Sequence, residues 1–164
     1  AGLRYGIDHG FDVIGTMDAD LSHRPEHLPA MRPLAETHDV VVGSRYIRDG
    51  GTINWGFGRI LLSWFANRFA SWLLRMPAHD VTSGFRLYRR EALSRISLEE
   101  VTSTGYSFLV ELLYRLHRKR CTMAESPIVF HDRTRGKSKL GTREIYVGAW
   151  RLLRIAAERR RPGG

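Results

Sequence analysis

Two carboxylates stand close together where a short apolar segment ends. Asp18 and Asp20 follow the run Phe11–Met17, whose Val and Ile residues and flanking turn residues predict a buried strand. Residues two apart in an extended chain project to the same side, and neighbouring carboxylates repel unless a cation lies between them. Hard oxygen ligands favour Mg²⁺ or Mn²⁺, with ligand phosphates completing the coordination. The alternative is that one or both carboxylates cap the helix that follows.

Three arginines beside small polar residues are candidate phosphate ligands. Arg45 follows a Gly-Ser pair, Arg59 opens a long apolar segment, and Arg86 ends the sequence TSGFR. A guanidinium can bind a phosphate through two parallel hydrogen bonds, and the alternative for each arginine is a solvated surface position. Asp80, just before TSGFR, is either an acceptor for a substrate hydroxyl or a partner for Arg86.

A basic segment lies near the end of the chain. Residues 131–141 contain four cations and two glycines, among them Arg133 and Lys139. Glycine permits close backbone approach and the cations attract phosphate, so this loop could close over a diphosphate. A solvated basic loop is the alternative.

The elements that must position these residues have an α/β pattern. A strand at Phe11–Met17, a helix at Pro25–Thr37 and a strand at Asp39–Gly43 predict a βαβ unit with a parallel sheet. In open α/β sheets, ligands bind outside the carboxyl ends of the strands. The remaining predicted elements are helices at Ala1–His9, Arg90–Ile96, Tyr106–Lys119 and Arg143–Arg160, and strands at Phe85–Tyr88 and Cys121–Phe130, the latter interrupted by Pro127.

The segment Phe57–Arg75 predicts a long helix that is apolar on most of its surface. Its polar side chains recur every four residues in one narrow stripe, so its wide apolar face must be buried on several sides or meet lipid. The stripe consists of Arg59, Ser63, Asn67, Ser71 and Arg75.

Composition limits the class of protein. The chain has 164 residues, 43% of them hydrophobic, which fits one globular domain (residues 1–158) with a polar tail (159–164) and excludes a disordered chain. One cysteine excludes an intrachain disulfide, and no apolar run is long enough to span a bilayer. The net charge of +9 predicts an anionic partner: a phosphate-bearing ligand, an anionic membrane face or nucleic acid.

Taken in order, the motifs resemble those of the dolichol-phosphate (polyprenol-phosphate) mannose synthases, which are family 2 glycosyltransferases with a GT-A fold. The resemblance runs from about Gly10 to about Ile155, and eight motifs in the right order make it specific. The motifs are MDADLSH at 17–23, PE at 25–26, DVVVGSRY at 39–46, Trp55 with Arg59, DVTSGFR at 80–86, GYSF at 105–108 with Glu111, ESPIVF at 125–130 and RTRGKSKL at 133–140.

The resemblance implies transfer of mannose from GDP-mannose to the phosphate of a polyprenol, such as dolichol, with inversion. It also implies a GT-A, Rossmann-like fold with a mixed, mainly parallel sheet flanked by helices, and an enzyme peripheral to the cytoplasmic face of a membrane. Carried over by position, it assigns the metal ion to Asp18, Asp20 and Ser22, the acceptor phosphate to Arg45 and Arg59, further substrate contacts to Asp80, Ser83 and Arg86, and the donor diphosphate to Arg133 and Lys139.

The chain departs from the family at its start. Nothing matches the family's first strand with its Pro-Thr-Tyr-Asn-Glu-like motif, so we expect the first βαβ part of the nucleotide site to be missing. Two alternatives stay open. A related transferase could use another sugar nucleotide, such as UDP-glucose, and a non-catalytic basic module could bind anionic lipid or nucleic acid. The mannosyltransferase hypothesis expects no nucleic acid partner.

Overall fold

The computed structural model describes residues 1–103, 105–132 and 150–157. Its helices are α1 (Gly2–Asp8), α2 (Leu28–Met31), α3 (Leu34–Thr37), α4 (Phe57–Leu74), α5 (Arg90–Leu93) and α6 (Tyr106–Arg118). Its strands are β1 (Val13–Thr16), β2 (Val40–Ser44), β3 (Gly51–Ile53), β4 (Arg86–Arg89), β5 (Met123–Pro127) and β6 (Val129–His131). Short 3-10 helices lie at Pro25–His27 and Leu98–Glu100, and residues 150–157 are helical.

Within the described residues, four strands form a mixed sheet in the order β1-β4-β2-β5. β4 runs antiparallel to both of its neighbours, and β2 pairs with β5 in parallel. β1, β2 and β5 therefore point the same way, as a mainly parallel sheet requires. The two strands of the predicted βαβ unit, β1 and β2, are parallel to each other but not adjacent, because β4 lies between them. β4 suits this central place because Leu87 and Tyr88 pack into apolar clusters on opposite faces.

The sheet separates two apolar clusters. Val40 and Val42 of β2 belong to the larger cluster, which also takes in α6 and the buried end of α4. Val41, between them, faces the smaller cluster under α2 and α3. All three valines are fully buried, because successive residues of a strand point to opposite faces and both faces are covered here.

Some boundaries differ from the predictions for local reasons. The helix expected over Pro25–Thr37 is broken into a 3-10 helix, α2 and α3, because Pro29 and Pro33 lack the backbone N–H that a continuous helix needs. The strand expected over Cys121–Phe130 is divided after Pro127. Its second part, β6, pairs in parallel with β3, which the sequence pattern did not predict.

Two predicted segments lie wholly or partly beyond the described residues. Of the helix expected at Arg143–Arg160, residues 150–157 are described and are helical. The predicted tail at 159–164 lies outside the described residues. Across the parts of the chain that are described, no helix combines the length and apolar character needed to cross a membrane.

Candidate active site

One edge of the sheet gathers three of the predicted site segments. β1 and β2 end at this edge and β4 begins there, since β4 runs antiparallel to both. The turn Met17–His23 follows β1, Arg45 follows β2, and the loop Asp80–Phe85 precedes β4. The carboxyl ends of strands in such sheets are where ligands bind.

The turn Asp18–His23, called the acidic turn below, is held from beneath by a buried histidine. The backbone N–H of Asp18 donates to Nδ1 of His23 at 3.0 Å, so this ring nitrogen carries no proton. The His23 ring packs against Phe85 and Phe130. Burial lowers the pKa of His23, and Arg45 adds to this, against the opposing charge of Asp18. His23 is therefore a neutral support for the turn.

The other two residues predicted to bind metal differ in their exposure. The Asp20 carboxylate accepts the backbone N–H of Ser22 at 3.1 Å, and Leu21 between them has a left-handed φ of 65°. Asp18 and Asp20 are both partly exposed, with 46% of the Asp18 side chain open to solvent. Ser22 is fully buried, and among the described residues its hydroxyl has no hydrogen-bond partner. Ser22 is thus the weakest of the three as a ligand.

Gly84 makes room for the Asp18 carboxylate. A Cβ at this position would lie 2.9 Å from Oδ1 of Asp18, closer than real Cβ atoms approach. The Gly84 carbonyl accepts a hydrogen bond of 2.9 Å from the Thr16 hydroxyl, which fixes the loop against the end of β1. The TSGF sequence therefore helps to shape the acidic turn, a function that sequence reasoning missed.

The acidic turn fits a divalent cation bound together with a ligand. Among the described residues, no group of three or more His, Cys, Asp or Glu side chains is placed to hold a metal ion. Asp18 and Asp20 offer hard carboxylate oxygens at a partly exposed position, which suits Mg²⁺ or Mn²⁺ bound through one or two carboxylates plus substrate phosphates.

Arg45 and Asp80 form a buried ion pair behind the acidic turn. Nε and Nη2 of Arg45 donate to the two Asp80 oxygens at 2.7 and 2.8 Å, and the Arg45 backbone N–H donates to Oδ2 at 3.0 Å. Burial lowers the pKa of Arg45, but the charge and hydrogen bond of Asp80 outweigh it and leave the pKa raised. Asp80 is thus the partner of Arg45. Its full burial and this pairing correct both alternatives for Asp80, contact with a substrate hydroxyl and pairing with Arg86.

Glu125 of β5 fixes the start of the Asp80 loop. Its carboxylate accepts the backbone N–H groups of His79 and Asp80 at 2.9 and 3.0 Å, and it pairs with Nδ1 of His79 at 2.7 Å. Glu125 belongs to the ESPIVF motif, but no local pattern links it to Asp80, 45 residues away. The loop position is therefore set jointly by β2 and β5.

Two residues expected to contact substrate are instead structural. Arg86 is fully buried, and its guanidinium donates to the carbonyls of Leu109 and Val81, both at 2.7 Å. Ser83 is also buried, and its hydroxyl accepts the Phe85 N–H at 3.3 Å. These positions correct the assignment of Arg86 and Ser83 to substrate binding, because neither side chain reaches the surface.

Arg59 lies near Arg45 across a shared aromatic ring. The Arg59 guanidinium stands 4.0 Å from the centre of the Trp55 ring, and Arg45 stands 5.5 Å from the same ring. Arg59 is partly exposed and pairs with Asp132 at 3.0 Å. The structure thus brings the two predicted phosphate ligands together. Arg133 and Lys139, predicted to contact the donor diphosphate, lie outside the described residues.

Helix α4 buries polar side chains and exposes apolar ones, the reverse of an ordinary surface helix. The middle of its polar stripe faces the protein, with Asn67 and Ser71 buried and Ser63 accepting the Tyr46 hydroxyl at 2.7 Å, while Arg75 at the end of the stripe is exposed. Most of its large apolar side chains face outward, while Ala70 and Leu74 pack into the larger apolar cluster. The exposed apolar face consists of Phe57, Leu61, Leu62, Trp64, Phe65, Phe69 and Trp72.

A family model described as Glycosyl transferase family 2 matches residues 4–97, which is more than half of the chain. The chain belongs to glycosyl transferase family 2. Both aspartates of the acidic turn, Arg45, Arg59, Asp80 and Gly84 lie within the matched range.

Two curated relatives extend this family 2 match over almost the whole chain. The undecaprenyl-phosphate mannosyltransferase of Micrococcus luteus is 37% identical over 157 residues, covering 93% of this chain and 65% of the relative. The polyprenol monophosphomannose synthase of Mycolicibacterium smegmatis is 39% identical over 146 residues, covering 88% of this chain and 55% of the relative. The chain therefore spans a little over half to about two thirds of these relatives' lengths.

Solved structures support the fold of this family 2 domain. The glucosyl-3-phosphoglycerate synthase of Mycobacterium tuberculosis, in complex with Mn²⁺ and UDP-glucose, superposes with a TM-score of 0.57 at 18% identity. The match covers 90% of this chain and 49% of that structure. A second structure of that enzyme, with glycerol 3-phosphate also bound, gives a TM-score of 0.55 over the same shares. The GT-A fold expected from the motifs is confirmed.

Proposed function

We propose that the protein transfers mannose from GDP-mannose to a polyprenyl phosphate with inversion, at the cytoplasmic face of a membrane. One observation carries the proposal. Arg59 shares the Trp55 ring with Arg45, which follows β2 at the edge that bears the acidic turn, and Arg59 opens a helix whose outer face is apolar and exposed. Carboxylates for a metal ion on the donor diphosphate, a cation for the acceptor phosphate and an apolar surface for its lipid would thus adjoin one another. The two curated mannosyltransferases support the choice of sugar and acceptor.

The chemistry requires charge more than proton transfer. A phosphate monoester has a second pKa of about 6, so the acceptor is already an anionic nucleophile near pH 7 and needs no general base. His23 does not supply one, because its Nδ1 accepts the Asp18 backbone N–H. The site must instead bring two anionic substrates together and stabilise the leaving diphosphate.

Asp18 and Asp20 would hold the Mg²⁺ or Mn²⁺ ion on the donor diphosphate. There the ion would neutralise charge as the sugar–phosphate bond breaks. Arg59, which is partly exposed, would bind the acceptor phosphate directly. Two nitrogens of Arg45 are already engaged by Asp80 and Thr82, so Arg45 would contribute mainly its positive charge and would hold the Asp80 loop in place.

The outer face of α4 would rest on the membrane that carries the acceptor. Large contiguous apolar patches on a protein surface mark sites of interaction, and Trp and Phe with nearby arginines suit the membrane–water interface. Arg68 and Arg75 are exposed on the same helix and at its end. The acceptor phosphate would then meet Arg59 where α4 begins.

A product assay tests the proposal. The full-length protein is incubated with Mn²⁺, a short polyprenyl phosphate and either GDP-mannose or UDP-glucose, and the lipid product is identified by its mass. A mannosyl lipid supports the reaction and the donor, and NMR of that product then measures whether its anomeric configuration is inverted. A glucosyl lipid overturns the donor. No product from either donor, with folded protein, overturns the transfer reaction and favours a non-catalytic basic module. Omission of the metal is the matched control.

A further inference from the structure

The buried stripe of α4 contains one side chain that contacts the loop before β4. Asn67 is 1% exposed, and its amide makes three hydrogen bonds. Oδ1 accepts the Thr82 backbone N–H at 3.1 Å, while Nδ2 donates to the Thr82 hydroxyl at 3.0 Å and to the Ser63 carbonyl at 2.9 Å. The amide thus uses both its donor and its acceptor on a single residue of the loop.

The Thr82 hydroxyl passes this contact on to the buried ion pair. It accepts a hydrogen bond from Nη2 of Arg45 at 2.9 Å and lies 3.4 Å from Oδ1 of Asp80, to which it donates. Asn67, Thr82, Arg45 and Asp80 are therefore one continuous hydrogen-bonded set, called the buried network below. Because buried polar groups are costly when unpaired, the network has one arrangement in which all of these bonds are made.

The network also determines how α4 is rotated. Most of the α4 surface is apolar, so apolar packing alone gives this helix no strong preference for one rotation about its axis. Asn67 removes that freedom, because any other rotation would leave its amide and the Thr82 N–H without partners. The same rotation places Arg59, two turns earlier on the helix, beside Trp55 and Asp132.

We propose that Asn67 is a positioning residue for the acceptor side of the reaction. It acts through Thr82 on Arg45, and through the rotation of α4 on Arg59, without contacting substrate itself. The inference rests on the proposed function, since it assigns the acceptor phosphate to the Arg45–Arg59 side of the site. Loss of the Asn67 amide should therefore weaken the binding of polyprenyl phosphate and leave the donor site on the acidic turn intact.

The test compares Asn67→Asp with Ser71→Ala in the full-length protein. Asparagine and aspartate have nearly the same shape, but aspartate cannot donate to the Thr82 hydroxyl and brings a negative charge toward Asp80. Ser71 lies one turn further along the same buried stripe and donates to the Met76 carbonyl at 3.0 Å, away from the loop, so Ser71→Ala is the matched control. For Asn67→Asp we expect the KM for polyprenyl phosphate to rise about tenfold, the cost of one lost hydrogen bond to a charged network. We expect the KM for the sugar nucleotide to change less than about threefold.

A double-mutant cycle separates positioning from simple loss of stability. Thr82→Val keeps the shape of the side chain and removes its hydroxyl. If Asn67 acts through Thr82, then Asn67→Ala and Thr82→Val together raise the KM for the acceptor little more than either one alone. Additive effects, equal rises in both KM values, or an Asn67→Asp enzyme that behaves like Ser71→Ala would overturn the inference. Failure of the proposed function is distinct, because the wild-type protein would then form no mannosyl lipid at all.

Discussion

The acidic turn and the buried network lie at the same edge of the sheet but hold their charges in opposite ways. In the acidic turn, Asp18 is fixed through its backbone and nearly half of its side chain is open to solvent. In the buried network, the Asp80 side chain is fully buried and both of its oxygens bind Arg45. The first arrangement leaves a carboxylate able to receive a ligand. The second uses the same chemical group as an internal brace.

The comparison shows that residue type does not decide role at this site. Asp18 and Asp80 are both aspartates near the ends of strands, and Arg59 and Arg86 are both arginines within the family motifs. Their exposure separates them, since Arg59 is partly exposed and Arg86 is fully buried. Substitutions that keep shape and remove charge should therefore affect activity in one region and stability in the other.

The largest expected effect is the loss of stability in Asp80→Asn. This change leaves the buried Arg45 guanidinium without a carboxylate, and breaking one partner of a buried ion pair costs about 3–5 kcal/mol. Denaturant unfolding of the two proteins measures the difference. A loss below about 1 kcal/mol would show that solvent or another group replaces Asp80, and the contrast between the two regions would not hold.

Asp18→Asn should show the opposite behaviour. We expect transfer to fall about 100-fold or more, because one of the two proposed ligands for the metal ion on the donor diphosphate would be lost. Stability should change by less than about 0.5 kcal/mol, as for other exposed surface substitutions. Steady-state kinetics and unfolding of the same preparation check both parts. Near-normal turnover would remove Asp18 from the proposed metal site.

Sequence reasoning located the acidic turn because its evidence is local. An apolar run, a turn and two carboxylates two residues apart are all visible within a dozen residues, and the periodic polar stripe of α4 is equally local. Which side of α4 faces the protein depends on tertiary contacts, and the four-residue spacing of the polar stripe does not show them. The amide of Asn67 meets Thr82, 15 residues along the chain, only after the loop has packed on the helix.

Pairing was the least predictable property for the same reason. Closeness in sequence offers Arg86 as one candidate partner for Asp80, but Arg86 belongs to β4 and is buried in the core with that strand. The actual partner, Arg45, lies 35 residues before Asp80 and meets it because β2 is hydrogen-bonded to β4. A local pattern cannot show that β4 lies between β1 and β2. This position of β4 decides both the partner of Asp80 and the burial of Arg86.

Gly84→Ala should link the two regions, because Gly84 stands on the loop of the buried network and touches the acidic turn. The added methyl would displace the Asp18 carboxylate, the free end of a side chain, at little cost in stability. We expect activity to fall about tenfold, the scale of about 1.4 kcal/mol of lost transition-state stabilisation. Gly2→Ala in α1, where a Cβ meets no neighbour within 4 Å, is the control. An unchanged kcat/KM would show that the position of Asp18 is not critical.

The outward face of α4 should matter for membrane binding and not for stability. Replacing Phe65 and Trp72 by serine removes two exposed aromatic side chains without disturbing the buried stripe. We expect binding to vesicles containing anionic lipid to weaken about fivefold, with unfolding unchanged within about 0.5 kcal/mol. A cosedimentation assay measures the partition. Unchanged binding would assign the membrane contact to another surface.

The smallest expected effect concerns Tyr46, whose hydroxyl donates to Ser63 of α4 at 2.7 Å. Burial raises the pKa of Tyr46 above its ordinary value of 10.0, against the opposing effect of Arg45. As the pH rises past 10.0, the unfolded chain therefore releases this proton before the folded protein does, so the stability of the folded state falls with increasing pH. Tyr46→Phe should lose about 1 kcal/mol near pH 7 through the missing hydrogen bond, yet lose less stability than the wild type between neutral and strongly alkaline pH. Denaturant unfolding across that range measures the two slopes, with Tyr5→Phe at an exposed tyrosine as the control. If Tyr46→Phe kept the wild-type slope, the Tyr46 hydroxyl would not be held neutral against α4. The contact between Tyr46 and Ser63 would then be looser than the structure indicates.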